Sequence, residues 1–422
     1  MNVLVLCPHF APDIAPTGEV MTTIATGLVE LGHRLHVVTA LPWYRHHRVE
    51  PAWRGRLVRG EEKPWGRISR VHPFPADKTN IPARAAAFGG FTALATGVGL
   101  VERRGPRPDL VLAMSPPITL GLAGWLVARR YRVPFVFNVQ DIFPDVAVEL
   151  GAITNPRLIA AASRLERFIY DHADVVTVLS EELASNVAAK LGRGHPASSS
   201  RAKVRVIPNF VDTAAVGVGP KENAYRQEHG LVGKTVVMYA GNVGLSQSLD
   251  LVVGAARALA AARPEVVFVI NGEGSARAAL QSQAADLSNV RFVDYQPKER
   301  LGEVLAAGDI HVVPLRRGLA HSSVPSKLYS ILAAGRPLLA SVDEGTEVAR
   351  TIEAAGAGVA VAPDDPDAFL SGLVSLLDDP GSWPSRGAAG RAFVEGWASP
   401  AAVAQAYSNL FNEITNLARD HR

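Results

Sequence analysis

Residues 2–39 read NVLVLCPHFAPDIAPTGEVMTTIATGLVELGHRLHVVT, and the reading of this stretch decides the fold. Asn2–Cys7 is a short apolar run closed by Pro8. Gly18–Leu31 then carries Val20, Ile24, Leu28 and Leu31 at helical spacing, and Leu35–Thr39 returns to a strand pattern. Strand, helix, strand is the βαβ unit of a parallel sheet with right-handed crossovers. The unit recurs at Leu110–Met114 (strand), Gly121–Arg130 (helix), Phe135–Val139 (strand), Leu158–His172 (helix), Val175–Leu179 (strand) and Glu181–Leu191 (helix). The first half is therefore expected to be doubly wound α/β.

Gly192–Lys203 (GRGHPASSSRAK) reads as a loop, and Val204–Ile207 as a strand ending at Pro208-Asn209, where a domain boundary is expected. A second alternating series follows, from strand Thr235–Ala240 and helix Leu249–Arg263 to helix Pro366–Leu377. The expected domains are 1–208, 209–400 and a terminal helical segment, 401–422, able to pack back on the N-terminal domain. Two Rossmann-like halves of this kind place a cleft between the carboxyl ends of two parallel sheets, where open α/β sheets bind ligands.

A chain of 422 residues with 48% hydrophobic and 20% charged residues is neither a disordered chain nor a single small module. One cysteine, Cys7, and a start without a charged, then apolar leader suggest a cytoplasmic compartment. Ala85–Val101 is uncharged, but it has 17 residues and four glycines, so it suits a core helix or a membrane-facing one better than a span. The net charge of +3 hides halves of opposite sign, with positive excess in Arg34–Lys78, which holds ten Lys/Arg, four Asp/Glu and Trp43, Trp53 and Trp65. Such a stretch suits an anionic membrane surface or a phosphate-bearing substrate, unless it is simply a solvated loop face.

Several chemistries drop out. The turn after the first strand has no glycine before Gly18, and Gly272-Glu273-Gly274 lacks the third glycine of a dinucleotide fingerprint. GxSxG, HExxH, clustered Cys/His and GxxxxGK[ST] patterns are missing from the sequence. What remains are glycine-bearing junctions between strands and helices. Tyr239–Gly244, with Gly241, Asn242 and Gly244, offers backbone N–H groups to an anion. Val324-Pro325-Ser326-Lys327 puts Lys327 in a first helical turn, a position unfavourable to the helix dipole that a phosphate would offset. In the first half, strand Phe135–Val139 delivers Gln140 and Asp141 to its carboxyl end, and Asp145 follows either as a helix N-cap or as a second functional carboxylate.

These pieces in this order resemble one family. A glycine loop at Gly18, Val206–Asp212, Tyr239–Gly244, Gly272–Gly274, Asp309 before a strand, and Ser326-Lys327-Leu328-Tyr329 with Ala334–Pro337 look like the retaining glycosyltransferases of family four, which have the GT-B fold. Ser115-Pro116-Pro117, Gln140–Asp145 and Pro325–Lys327 most resemble the WbuB and WcaI type, acting in O-antigen, capsule and colanic acid assembly. The resemblance implies an α/β GT-B fold and a nucleotide-diphosphate sugar as donor, held by Gly18, Gly241, Asn242, Gly244, Gly272, Glu273, Ser326, Lys327, Ser330 and Glu347. It implies a glycan or polyprenyl-linked acceptor against the first half, with Asp141, Asp145 and Lys327 as catalytic candidates. No tightly bound cofactor, metal or nucleic acid is implied. The expected setting is the cytoplasm, with peripheral contact at an anionic inner membrane face.

The chain departs from the family where an E-x7-E pair is usual: Ser322 and Ser330 stand there, and Glu347 is a possible substitute for ribose recognition. Asn242 and Gln247 stand where Arg and Lys are common, leaving Lys327 with Arg316 or Arg317 to neutralise the diphosphate. These departures keep two other readings open, an inactive sugar-nucleotide-binding subunit and a GT-B nucleotide-sugar epimerase.

Overall fold

The structure is a computed structural model that describes residues 1–76, 81–101, 105–149, 153–191, 203–318 and 327–420. Ser322 and Ser326, most of the 192–203 segment, Lys78 and Glu102–Arg104 lie outside the described residues. The chain divides into two compact units, Met1–Asn209 with Val403–Arg422, and Phe210–Ala402.

The first unit is built on an eight-stranded sheet of β1 (Asn2–Leu6), β2 (Arg34–Ala40), β3 (Val58–Lys63), β4 (Gly66–Val71), β5 (Leu110–Ser115), β6 (Phe135–Val139), β7 (Val175–Val178) and β8 (Val204–Val206). Its order is β3-β4-β2-β1-β5-β6-β7-β8, parallel except for the β3–β4 hairpin. Strands buried on both faces read as continuous apolar runs, and β5 (LVLAMS) and β6 (FVFNV) are buried at every position. The crossover helices are signed at their starts: Asn155 caps Pro156–His172 by accepting from Arg157 N, and Ser180 caps Glu181–Lys190 by accepting from Leu183 N.

Three features differ from the sequence expectation or resolve it. The basic stretch is not one solvated loop, because its second part folds as the β3–β4 hairpin, and β4 joins the parallel sheet beside β2. β3 (VRGEEK) reads as polar because an edge strand carries charge, and so escapes a hydrophobic pattern. Within it, Arg70 is buried, bonded to Glu61 at 2.5 Å and to the carbonyls of Phe10 and Ala11. The tryptophans are half-buried rather than displayed: Trp53 lies under the guanidinium groups of Arg59 and Arg70, and Trp43 stacks on His9. The uncharged segment forms helix Ile81–Val101, which places Phe91 and Ala95 in the core. Among the described residues, no helix is long and apolar enough to cross a membrane.

The terminal helix Pro400–Asp420 belongs to the first unit. It buries Tyr407 and Phe411, and Ser408 is bonded to His33 at 2.8 Å. Tyr407 Oη accepts from Asn138 Nδ2 at 2.7 Å, so the helix is tied to the middle of β6.

The second unit has a six-stranded, wholly parallel sheet: β9 (Thr235–Ala240), β10 (Val266–Asn271), β11 (Val290–Val293), β12 (Ile310–Pro314), β13 (Leu338–Ser341) and β14 (Gly358–Val361), in the order β11-β10-β9-β12-β13-β14. Asp309, singled out by the motif before β12, has a structural place. Its buried carboxylate accepts from Arg226 Nη2 at 2.5 Å, from Lys221 Nζ at 3.0 Å and from Val236 N at 2.8 Å, stapling the 220–236 segment to the sheet.

Candidate functional site

In the second unit, the chain leaves β9 through Gly241–Gly244 and leaves β10 through Gly272–Gly274, and the two loops lie backbone to backbone. Gly241 N donates to Asn271 O at 2.9 Å, Val243 N to Glu273 O at 2.8 Å, and Ala276 N to Val243 O at 3.0 Å. A Cβ at Gly272 would collide with the carbonyl oxygen of Gly241, and one at Gly274 with that of Val243. The second loop's glycines are thus accounted for by loop packing. Glu273 is turned to Arg277, which also holds Gly272 O and Asp294.

Above these loops stands Lys327, the first residue of helix Lys327–Ala333. Its Nζ donates to Tyr239 Oη at 2.8 Å and to Gln247 Oε1 at 3.0 Å, and it lies 4.3 Å from the centre of the Tyr239 ring. A Cβ at Gly241 would come within 3.4 Å of Nζ, so the glycine keeps the space beside the ammonium narrow but open. Tyr239 Oη donates in turn to Asn242 O at 2.5 Å. Burial against these neutral groups lowers the Lys327 pKa to about 8. Among the described residues, no carboxylate pairs with it.

The other cations expected here are engaged. Arg316 holds Leu245 O at 2.7 Å and faces Asp250 and Asp364, and Arg317 donates from its backbone N–H to the Asp364 carboxylate at 2.9 Å and from Nη2 to Pro363 O at 3.0 Å. Their bonds fix the loops around Lys327 instead of pointing a charge beside it. Ser330 lies one turn along the same helix. Glu347 opens helix Glu347–Ala355, where it is buried and faces Arg350 and Thr351 at 3.4 and 3.5 Å.

In the first unit, Asp141 follows the end of β6 with no hydrogen-bond or ion-pair partner among the described residues. Its carboxyl reaches solvent, but partial desolvation raises its pKa from the ordinary aspartate value. Gln140, beside it, is locked: its Nε2 donates to Asn138 Oδ1 at 2.8 Å, and its Oε1 accepts from Asn209 at 3.0 Å. Asp145 begins helix Asp145–Glu149 and is spoken for, paired with Lys190 at 2.8 Å and accepting from Asn186 at 3.2 Å. Gly18 packs in the first turn of helix Pro16–Glu30, where a Cβ would meet His9 Cβ at 2.8 Å. It belongs to the first unit, whereas the other described donor candidates belong to the second.

Sequence reasoning missed a pair that Gly18 makes room for. His9 Nδ1 is bonded to Asp13 Oδ2 at 2.6 Å, and both residues are buried. Asp13 Oδ1 accepts from the backbone N–H of Trp43 and Tyr44 at 3.3 and 3.0 Å. The signal was present as His9 and Asp13 four residues apart, directly after the first strand, but proline-rich loops have no period to flag them.

Comparison with known proteins agrees with this anatomy. Residues 17–209 match the Glycosyl transferase 4-like domain and residues 234–379 the Glycosyl transferases group 1 domain. The chain is 26% identical over 390 residues to WcaI of Escherichia coli K12, a protein named for colanic acid biosynthesis as a glycosyl transferase; the match covers 89% of this chain and 92% of WcaI. Among solved structures, sucrose-phosphate synthase from Thermosynechococcus elongatus superposes with a TM-score of 0.69 at 16% identity, over 99% of this chain and 100% of that one. Anabaena HepE in complex with UDP superposes with a TM-score of 0.65 at 14% identity, over 98% and 100%. The chain belongs to the family-four type of glycosyltransferase, on the GT-B fold, with a 4-like domain followed by a group 1 domain.

Proposed function

We propose that this glycosyltransferase is a retaining enzyme. It takes a nucleotide-diphosphate sugar in its second unit and passes the sugar to a hydroxyl of a glycan or polyprenyl-linked acceptor held by its first unit, in cell-surface polysaccharide assembly. The observation that carries the reading is Lys327, an ammonium enclosed by neutral groups beside the Gly241 loop. A diphosphate supplies the anion that the described protein groups do not, and the charge grows on the leaving phosphate as the glycosidic bond breaks, so the contact strengthens in the transition state. HepE, crystallised with UDP, supports a nucleotide donor for this fold, and WcaI supports the polysaccharide setting.

In the first unit Asp141 orients the acceptor hydroxyl. Front-face attack retains the anomeric configuration, with the departing phosphate oxygen taking the hydroxyl proton, so no nucleophilic side chain is assigned. The exposed arginines of the first unit bring the protein to an anionic membrane bearing the lipid-linked acceptor.

The test is incubation of the purified protein with a panel of UDP- and GDP-sugars, read by NMR. Slow hydrolysis of one donor, with the anomer released first matching that of the donor, is expected. No turnover of any donor by a protein that also fails to bind UDP or GDP would sink the assignment.

A further inference from the structure

Strand β6 (FVFNV) carries one polar residue, Asn138, and it is fully buried. Burying an amide costs free energy unless its groups find partners, and here they do. Asn138 Nδ2 donates to Tyr407 Oη at 2.7 Å and to Thr177 Oγ1, its register partner on β7, at 3.1 Å. Its Oδ1 accepts from Gln140 Nε2 at 2.8 Å, and Gln140 Oε1 accepts from Asn209 Nδ2 at 3.0 Å. Tyr407, Thr177 and Gln140 are each more than nine-tenths buried. A line of hydrogen bonds thus crosses the interior of the first unit. It starts at Tyr407, just after the chain returns to that unit at Val403, and ends at Asn209, where the chain leaves it.

Fastening the terminal helix to the sheet needs only Asn138. The line continues past it along the same face of the strand, since residues two apart share a face, and the bonds of Gln140 go to Asn138 and Asn209 and not to the helix. What it reaches is Asp141. The Asp141 carboxyl has no hydrogen-bond or ion-pair partner among the described residues, so its place is set by its backbone. That backbone is held on both sides. Gln140 precedes it with both ends of its amide engaged, and Ile142 follows it, 3% exposed in the core, with its carbonyl accepting from Val146 N at 3.0 Å. Apolar packing tolerates small slides, whereas hydrogen bonds fix direction as well as distance.

We propose that Gln140 is the positioning residue for Asp141, anchored by Asn138 and Tyr407 on one side and by Asn209 on the other. The carboxylate is thereby held in one place while its oxygens stay open to the acceptor. Gln140 acts through its neighbour, its own amide being consumed by the fold. This assignment rests on the reading that Asp141 orients the acceptor hydroxyl.

A double-mutant cycle on the full chain tests it, with hydrolysis of the donor that the wild type turns over as the assay and water in the acceptor's place. Gln140→Met keeps the length of the side chain and removes its amide; it should lower kcat about tenfold with donor KM unchanged. Tyr407→Phe, farther along the line, should lower kcat about threefold. In an Asp141→Asn background, Gln140→Met should change kcat by less than about twofold, because nothing is left to position. Ser408→Ala is the control: it frees the same helix from His33, and should lower the melting temperature with kcat kept.

A second readout needs no turnover. In NMR of protein with isotope-labelled aspartate carboxyls, the Asp141 signal is identified by its loss in Asp141→Asn. It should titrate at lower pH in Gln140→Met than in wild type, because a loosened carboxyl regains water. Asn209→Ala, which removes one bond of the line from a half-buried position, gives the same reading if Gln140→Met does not fold. Additive losses in the double variant, equal losses of kcat in Ser408→Ala and Tyr407→Phe, or an unmoved Asp141 titration in the folded variants would each overturn the assignment. Donor turnover with an unmoved titration defeats only the positioning. A shifted titration in a protein that turns over no donor defeats the transfer reaction and supports Gln140 as the group that holds Asp141.

Discussion

Lys190 and Lys327 are both partly buried lysines at helix ends, yet they are surrounded in opposite ways. Lys190 sits 2.9 Å from Glu166 and 2.8 Å from Asp145, and Glu166 also accepts from Tyr170, so the charge of that lysine is fully paired. Lys327 has a phenol, a ring face and an amide oxygen, and its pKa falls to about 8. The carboxylates divide in the same way. Asp145 is paired, whereas Asp141, four residues earlier on the same segment, has a raised pKa and no partner among the described residues. A charge that the fold has already neutralised serves the fold, and one held at a cost without a partner is available to a ligand.

The largest expected effects come from the open groups. Asp141→Asn keeps the shape and removes the charge, and turnover should fall about a hundredfold or more with the melting temperature nearly unchanged. Asp145→Asn should do the reverse, lowering the melting temperature while steady-state transfer per folded molecule stays within about twofold. If the two variants behave alike, the distinction between open and closed carboxylates fails. For the lysines, Lys327→Ala loses a charge-assisted contact worth roughly 1.5–3 kcal/mol, about ten- to a hundredfold in kcat/KM for the donor. Lys190→Ala leaves the buried Glu166 uncompensated, a loss of up to about 3 kcal/mol of stability after allowing for solvent at the lysine, readable by denaturant titration.

The titration of Lys327 sharpens the same contrast. Only the ammonium pairs with a diphosphate, so nucleotide affinity should fall about tenfold between pH 7 and pH 9, as Lys327 loses its proton near 8. Stability moves the other way. The folded pKa lies below the ordinary 10.5, so the unfolded chain binds more protons between those values, and the free protein gains stability as pH rises through the window. Calorimetric titration of UDP and GDP from pH 6.5 to 9.5 reads the first slope. Lys327→Arg, whose charge persists, should flatten it, and a slope unchanged in that variant would assign the titration to another group.

How much of this was legible in the sequence follows from which signals are periodic. Apolar runs such as Phe135–Val139 and Val266–Asn271 announce buried parallel strands, and with them the strand-end positions of Asp141 and the Gly272 loop. Lys327 was legible as a charge at a helix start. Its isolation was not, because the partners that make it unusual, Tyr239 and Gln247, are 88 and 80 residues away in the chain. Distance in sequence likewise hid that Arg316 is occupied by Leu245 O and that Tyr407 reaches Asn138. The hairpin β3–β4 was illegible for a different reason: its outer strand is polar and its key residue is a buried arginine, the type least expected inside.

The smallest effect concerns a third class of cation, neither paired inside the fold nor held against neutral groups but surrounded by water. Arg45, Arg48 and Arg56 are exposed on the segment between β2 and β3, near the exposed apolar side chains of Tyr44 and Leu57. Phe91 and Ala95 of helix Ile81–Val101 are buried in the core, and Trp53 lies against Arg59 and Arg70. Docking then rests on charge with a small apolar contribution. Each arginine near an anionic surface contributes about 1 kcal/mol, so each Arg→Gln substitution should weaken binding to phosphatidylserine-containing vesicles about fivefold. Raising salt shortens the Debye length from about 10 Å at 0.1 M toward about 3 Å at 1 M, and should release the protein. Co-sedimentation measures both effects. Binding that is equal on neutral and anionic vesicles, or that survives the triple Arg→Gln variant, would show that these arginines are merely solvated, and would leave Lys327 as the cation in this comparison held for an anion.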